Sequence, residues 1–272
     1  MKIFLDSADL DEIKQCYEWG IVDGITTNPS LLKKAVDKRK GPGESLDIKT
    51  YIIEILNAAR NTPVSLEVTE TTAAGMIKEA VKLYSLFSDY CLNLNIKIPV
   101  NPAFSETDKT QFDGIIAIKE LYNKNITVNA TLIFTPEQAL LAAKAGAAYV
   151  SPFAGRIDDY IRSRNKMNFN KSDYFPAEGF SFLGEPLDDN GIVSGIDLVK
   201  KCVDIVQRHN LETKVIAASL RNPRQVREAA LVGAHIATVP YNTLKDMLKH
   251  EKTYEGMKKF TADIIQEYAN LK

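Results

Sequence analysis

Lys97 stands in the run Leu92-Asn93-Leu94-Asn95-Ile96-Lys97-Ile98-Pro99-Val100, whose apolar residues read as a buried strand. An unpaired ammonium is expensive there, and burial favours the neutral amine. A neutral amine attacks carbonyl carbon, so such a lysine can form a Schiff base. The alternative is a structural lysine paired with a buried carboxylate. Polar residues recur inside or at the ends of the other apolar runs: Asp6, Thr26-Thr27-Asn28, Glu67, Asn129 with Thr131, Ser151 with Arg156, and Ser219 with Arg221. Taken singly, each is a hydrogen-bonded core filler, and either arginine is a surface salt bridge. A set drawn from almost every strand is the pattern of a site assembled at one mouth. Asp6 and Glu67 can divide the giving and taking of protons around a lysine, and Thr131 can hold a water between them. Arg156 and Arg221 offer planar donors to an oxyanion such as phosphate, and Ser219 adds a hydroxyl.

The elements that must position these residues alternate along the chain. Strands are expected at residues 3–6, 24–27, 64–68, 93–98, 127–133, 148–152, 215–219 and 235–239. Helical periods lie between them, at 73–87, 115–123, 136–145, 196–209, 224–232 and 243–248, and a last helix at 254–271 closes the chain. Thr135-Pro136 and Asn222-Pro223 are helix starts, and Ala145-Gly146 is a left-handed helix end. Strands alternating with helices imply parallel pairing with right-handed crossovers. Eight strands close a (β/α)8 barrel. The alternative, a doubly wound open sheet, lacks its Gly-x-Gly-x-x-Gly run. The expected fold is therefore α/β: one (β/α)8 barrel domain over residues 1–272 with an extra C-terminal helix. Alternation puts Ser65 and Glu67 on one face of their strand and Leu66 and Val68 on the other. Two segments break the rhythm. Residues 37–49 read as a charged surface loop. Residues 155–195 read as a long insertion without a clear barrel element, at the end of the barrel where active sites are built.

Composition narrows the partners. With 34 basic and 35 acidic residues there is no basic stripe, which argues against nucleic acid and anionic membranes. No secretory leader or membrane span is expected. Cys16, Cys91 and Cys202 are far apart, give no zinc spacing and suit a reducing cytoplasm. His209, His235 and His250 form no ligand pattern, so no metal is expected.

Six stretches resemble the transaldolases, in that family's order: Phe4-Leu5-Asp6-Ser7-Ala8-Asp9, Asp23-Gly24-Ile25-Thr26-Thr27-Asn28-Pro29-Ser30-Leu31, Ile96-Lys97-Ile98-Pro99, Asn129-Ala130-Thr131-Leu132-Ile133-Phe134, Ser151-Pro152-Phe153-Ala154-Gly155-Arg156-Ile157 and Ala218-Ser219-Leu220-Arg221-Asn222. The resemblance implies a class I aldolase-type barrel with the Schiff base on Lys97. It also implies acid/base work by Asp6 and a relay of Glu67, Thr131 and a water. Asn28 and Asn129 would meet a dihydroxyacetone unit, and Ser219, Arg221 and Arg156 a phosphate. Thr27, Ser151 and Phe153 fall in the two most specific motifs and join the substrate-binding set. No cofactor is implied, because the protonated imine is itself the electron sink. Sugar phosphates are the implied substrates and a homo-oligomer the implied assembly. Fructose-6-phosphate aldolases, in the small-subunit branch of the family, are similar but typically carry glutamine in place of Glu67 and tyrosine in place of Phe134 or Phe153. Three other readings stay open: an aldolase releasing free dihydroxyacetone, a transaldolase for a variant sugar such as a sulfonated one, and a noncatalytic sugar-phosphate-binding barrel.

Overall fold

Short apolar runs that cannot leave either face in water are stable only when both faces are covered. The computed structural model, which describes residues 1–39 and 46–271, satisfies this by closing the runs into a barrel. The strands are β1 (Lys2–Asp6), β2 (Gly24–Thr26), β3 (Val64–Glu67), β4 (Leu94–Pro99), β5 (Val128–Ile133) and β6 (Tyr149–Pro152), then a separate hairpin of β7 (Phe180–Phe182) and β8 (Glu185–Leu187), then β9 (Lys214–Ala217) and β10 (Ile236–Val239). Around the barrel the order is β1-β10-β9-β6-β5-β4-β3-β2, with every neighbour parallel. Outside it run α1 (Leu10–Glu18), α2 (Pro29–Arg39), α3 (Ile48–Ala58), α4 (Ala73–Phe87), α5 (Asp113–Asn123), α6 (Pro136–Ala145), α7 (Ala154–Arg164), α8 (Gly195–Arg208), α9 (Pro223–Leu231) and α10 (Tyr241–Asp246), followed by α11 (Glu251–Ala262) and α12 (Gln266–Ala269). This is the expected (β/α)8 barrel, with each barrel strand within two residues of its expected bounds.

The pleat sorts the strand residues. One parity packs outward against the helices in a single large core that includes Leu5, Leu66, Ile96, Ile98, Ala130 and Val215. The other parity points into the barrel. At its N-terminal end, Phe4, Ile216 and Ile236 form a separate apolar plug with Tyr149 against it. Gly24 makes room for that plug, since a Cβ there would lie 2.7 Å from the Phe4 ring and 2.7 Å from the Pro63 carbonyl oxygen. Above the plug most inward positions are polar.

Helix signals fall where the chemistry of the sequence puts them. Thr135 and Gln138 form a reciprocal capping box, Gly146 ends α6 at φ 104°, and the Asn222 side chain accepts the Gln225 N–H to start α9. Three expectations are corrected. Residues 154–164, read as the start of an irregular insertion, are the helix α7. Its buried face carries Asp158 and Arg162 beside Ile157 and Ile161, so the apolar period is half hidden by charge. The helix expected over 254–271 is two, because the chain turns extended at Ile265 (ψ 149°) and no residue of α11 or α12 is buried to hold a continuous rod. The expected loop over 37–49 is partly helical: Asp37–Arg39 end α2, and the Asp47 side chain caps α3. Residues 40–45 of that loop lie outside the described residues.

The charged face of α7 knits the structure together. Asp158 accepts from the Gly195 N–H at 2.7 Å, the start of α8, and from the Gln225 amide at 2.7 Å, in α9. Arg162 donates to the Asp173 and Tyr174 carbonyls at 3.1 and 2.8 Å and lies over the Phe169 and Phe175 rings. These contacts order the segment after α7, which returns along the barrel and buries Phe175 and Ile192.

Burial pushes the Asp158 carboxyl up to about 7, against the pull of the Gly195 N–H, Arg162 and Gln225. The folded state therefore holds this proton more tightly than the unfolded chain, and the group's contribution to stability falls as pH rises between about 4 and 7. In chemical denaturation of wild type and Asp158→Asn, the difference in unfolding free energy should shift towards the variant as pH rises from 5 to 8. A pH-independent difference would remove Asp158 as the titrating group.

Candidate active site

Parallel pairing sets Lys97 beside Glu67, because the two are register partners in the β3–β4 ladder. Lys97 Nζ lies 2.8 Å from Glu67 Oε2 and donates to the Thr27 carbonyl at 3.0 Å. Lys97 is 5% exposed, so its ammonium has exchanged water for one carboxylate and one carbonyl. A buried ion pair is poor as a stability device: well-packed apolar residues often do as well, while removing one partner costs about 3–5 kcal/mol. Its presence in the barrel interior points to chemistry more than to packing.

Asp6 ends β1 on the same interior face. Its carboxylate accepts the Thr26 hydroxyl at 2.8 Å, and Thr26 and Thr238 share a hydrogen bond of 2.5 Å. Burial raises the Asp6 carboxyl above the usual carboxylate range, and Glu67 adds to this. The Lys97 ammonium, the Thr26 hydrogen bond and Arg156 act the other way. An acid raised in this way can both give and take a proton nearer neutrality. On β5 beside Lys97, Asn129, fully buried, accepts from Ser151 Oγ at 2.7 Å and donates to Ser65 Oγ at 3.3 Å. The Thr131 hydroxyl is also fully buried and has no hydrogen-bond partner among the described residues.

Two non-glycine residues in the left-handed region shape the mouth. Leu132 has φ 57°, and the β5–β6 register shifts between Ala130 and Ile133. This bulge breaks the alternation. Thr131 stays inward, Ile133 joins the helix-side core, and Phe134 meets Phe153 edge to face at 5.8 Å. Ser219 has φ 61° just past β9, so Ala218 and Ser219 both face the cavity, which alternation alone forbids. Strain of this kind gathers at functional sites.

The cavity at the C-terminal mouth measures ≈ 90 Å³ and is lined by Asp6, Thr26, Asn28, Lys97, Ser151, Phe153, Arg156, Ala218, Ser219 and Thr238. A groove of ≈ 730 Å³ at the opposite end, before β5, β6 and β9, holds none of the expected site residues. Chemistry, not size, favours the smaller one. Arg156 reaches the mouth over the Phe153 ring, 5.0 Å from its centroid. Arg221 stands beside it. Its Nη2 pairs with Asp159 at 2.9 Å, and its Nε lies 3.4 Å from Ser219 Oγ.

Seven of the twelve expected site residues thus line one cavity: Asp6, Asn28, Lys97, Ser151, Phe153, Arg156 and Ser219. Glu67 touches Lys97 directly, Thr27 holds it through a carbonyl, and Asn129 and Thr131 lie on the neighbouring strand, Asn129 as the register partner of Lys97. The Asn28 side-chain oxygen also accepts the Leu31 N–H in the first turn of α2. Arg221 does not line the cavity and is tied to Asp159. The lining residues without an expected role are Thr26, Ala218 and Thr238. Thr238 was detectable as a hydroxyl in the apolar run Ile236–Val239, with the parity that faces Asp6 from β10.

A parallel eight-stranded barrel with a buried lysine, two carboxylates and a pair of arginines near its C-terminal mouth defines the class of (β/α)8 barrels that carry a lysine–carboxylate site. Comparison with known proteins gives the group within that class. The sequence model described as Transaldolase/Fructose-6-phosphate aldolase matches residues 3–271, and the chain belongs to that family. It is 40% identical to a probable transaldolase of Thermoplasma acidophilum over 263 residues, 97% of this chain and 95% of the relative. A probable transaldolase of Geobacillus thermodenitrificans is 39% identical over 263 residues, 97% of this chain and 98% of its own.

Gly155 is needed at this mouth. A Cβ there would lie 2.3 Å from the Ser219 carbonyl oxygen and 2.8 Å from Arg221 Nε. Gly155→Ala should therefore destabilise the fold by about 1–3 kcal/mol, the usual cost of overpacking. Urea unfolding reads this directly, and an unchanged midpoint would show that α7 and the Ser219–Arg221 loop part freely.

Proposed function

We propose that the protein is a transaldolase that carries a dihydroxyacetone unit from a ketose phosphate to an aldose phosphate on Lys97. The observation that carries this reading is the Lys97 amine in a closed barrel, 2.8 Å from Glu67 and on the cavity that Asp6 also lines. Glu67 takes the lysine proton, and the free amine adds to the ketone carbon of the donor. Asp6 supplies the proton with which the carbinolamine loses water, leaving a protonated imine. Asp6 then takes the proton of the hydroxyl on the carbon beyond the bond to be broken. That bond breaks, its electron pair runs into the imine to form an enamine, and an aldose phosphate departs. The acceptor aldehyde enters, and the same steps run in reverse. Thr131, with its hydroxyl unengaged, is suited to hold the water between the two acids. Ser219, Arg156 and Arg221 are suited to the phosphate, and Asn28, Ser151 and Asn129 to the hydroxyls of the three-carbon unit.

Glu67 favours transfer over the close alternative, a fructose-6-phosphate-type aldolase releasing free dihydroxyacetone. A carboxylate there can manage protons for a second acceptor, while an amide keeps the shape without the proton. The noncatalytic alternative leaves the buried amine without a use. A cytoplasmic setting, in the carbohydrate metabolism of pentose phosphates, suits three free buried cysteines. Among the described residues, no helix is long and apolar enough to cross a membrane.

Borohydride with fructose 6-phosphate should add the mass of a reduced three-carbon adduct to wild type and nothing to Lys97→Met; an adduct on the variant would move the Schiff base elsewhere. With erythrose 4-phosphate added, wild type should transfer the unit. Glu67→Gln should lower transfer by about 10²-fold or more, the usual scale of a lost acid–base group. The ratio of transferred to released dihydroxyacetone does not depend on how much variant folds, and an unchanged ratio would reduce Glu67 to a structural acid.

The reading includes a homo-oligomer. Helix α11 buries none of its residues and exposes Tyr254, Met257 and Phe260 at a helical spacing, each more than half accessible. Phe260→Asp with Met257→Asp should lower the mass seen in light scattering; an unchanged assembly, or a monomeric wild type, would count against this face.

A further inference from the structure

The two arginines near the mouth, Arg156 lining the cavity and Arg221 behind Ser219, are held in opposite ways. Arg156 is exposed, lies over the Phe153 ring and forms no ion pair among the described residues. Arg221 is engaged along its whole guanidinium edge. Nη2 pairs with Asp159 at 2.9 Å, Nη1 lies 3.5 Å from the Lys171 carbonyl, and Nε lies 3.4 Å from Ser219 Oγ. Its stem packs against Gly155, where a Cβ would come within 2.9 Å of Cγ. The partner carboxylate is unusual. Asp159 Oδ1 is buried and has no hydrogen-bond partner among the described residues. Among the described residues, Arg221 is the one cation paired with Asp159, whose other oxygen is buried and goes unanswered.

This arrangement sets position and charge separately. The short pair with Asp159 holds the guanidinium beside Ser219, and the two longer contacts add to it, which favours geometry for an incoming anion. The Asp159 charge also offsets the charge of Arg221, which weakens attraction for that anion. We propose that Asp159 is a positioning residue that also sets affinity: it fixes Arg221 at the mouth and keeps phosphate binding weaker than two free arginines would make it. The inference rests on Arg221 as a phosphate ligand, the reading given above. Its sense for a transferase is turnover, since each aldose phosphate released must clear the site before the acceptor enters.

A structural role and an affinity-setting role move binding in opposite directions. Asp159→Asn keeps an oxygen facing Nη2 and removes one negative charge near the anion. Calorimetric titration with inorganic phosphate should give a dissociation constant about ten-fold tighter for Asp159→Asn than for wild type, the scale of one charge acting through a partly solvated protein surface. Asp159→Glu, which restores the charge, should return it towards the wild-type value. Unchanged or weaker binding in Asp159→Asn overturns the proposal. Should that variant not fold, Asp159→Ser is titrated in its place with the same expectation. Arg221→Ala separates the two readings. If it binds phosphate as wild type does, Arg221 is no phosphate ligand and both fall. If it binds more weakly while Asp159→Asn binds no tighter, only the role of Asp159 falls.

Discussion

A cation and an anion shut inside a closed barrel are the constraint around which this molecule is arranged. Lys97 and Glu67 are register partners on adjacent parallel strands, so the pair is not an option of side-chain rotamer but a consequence of how β3 and β4 align. Neither charge can be left alone at that depth without a penalty of several kcal/mol. The neighbouring elements answer it. The Thr27 backbone turns its carbonyl to the ammonium, and the Asp6 carboxyl across the barrel is held above its ordinary range by the burial that hides the pair. Slipping β4 by one residue would turn Lys97 into the helix-side core and leave Glu67 facing an isoleucine.

Around that pair the interior is satisfied from within. Ser65, Asn129 and Ser151 pass hydrogen bonds from β3 to β5 to β6, and Thr26 links Asp6 to Thr238 between β1 and β10. These bonds run along the circumference, at right angles to the strands, and so tie the barrel wall at the height of the chemistry. The floor is apolar and tightly filled. The outer shell is similarly polarised. Helix α7 uses Asp158, Asp159 and Arg162, three charges within one and a half turns, to grip α8, the Arg221 loop and the returning segment.

Much of this could be read from residue order. The alternation of strand and helix made the barrel legible, and the polar residues set into apolar strands marked the mouth, because a polar side chain in such a strand must have a partner or a purpose. Three kinds of feature stayed hidden. One is a buried face made of charge: Asp158 and Arg162 in α7 give no apolar period, and their partners, Gly195, Gln225 and the Asp173 and Tyr174 carbonyls, are separate in sequence. Another is backbone strain, since neither Leu132 nor Ser219 is a residue type that favours φ > 0, and their left-handed conformations are imposed by the closed barrel. Tertiary charge pairing was the third. Arg221 was read for an anionic ligand, and nothing in the local sequence shows that Asp159, sixty-two residues before it, already occupies one edge of its guanidinium.

The plug of Phe4, Ile216 and Ile236 has a consequence for traffic. With those three side chains almost wholly buried, the barrel is a blind well, walled by hydrogen-bonded strands and stopped at the base by hydrocarbon. A molecule that reaches the lysine through the cavity enters from the C-terminal mouth, past Arg156, and leaves by the same route. In the transfer proposed above, two sugars that need the same few ångströms above the amine cannot pass each other in such a well. They must queue, so the architecture itself imposes an order of arrival and departure, and a second molecule of the departing sugar competes for the entrance with the one waiting to come in.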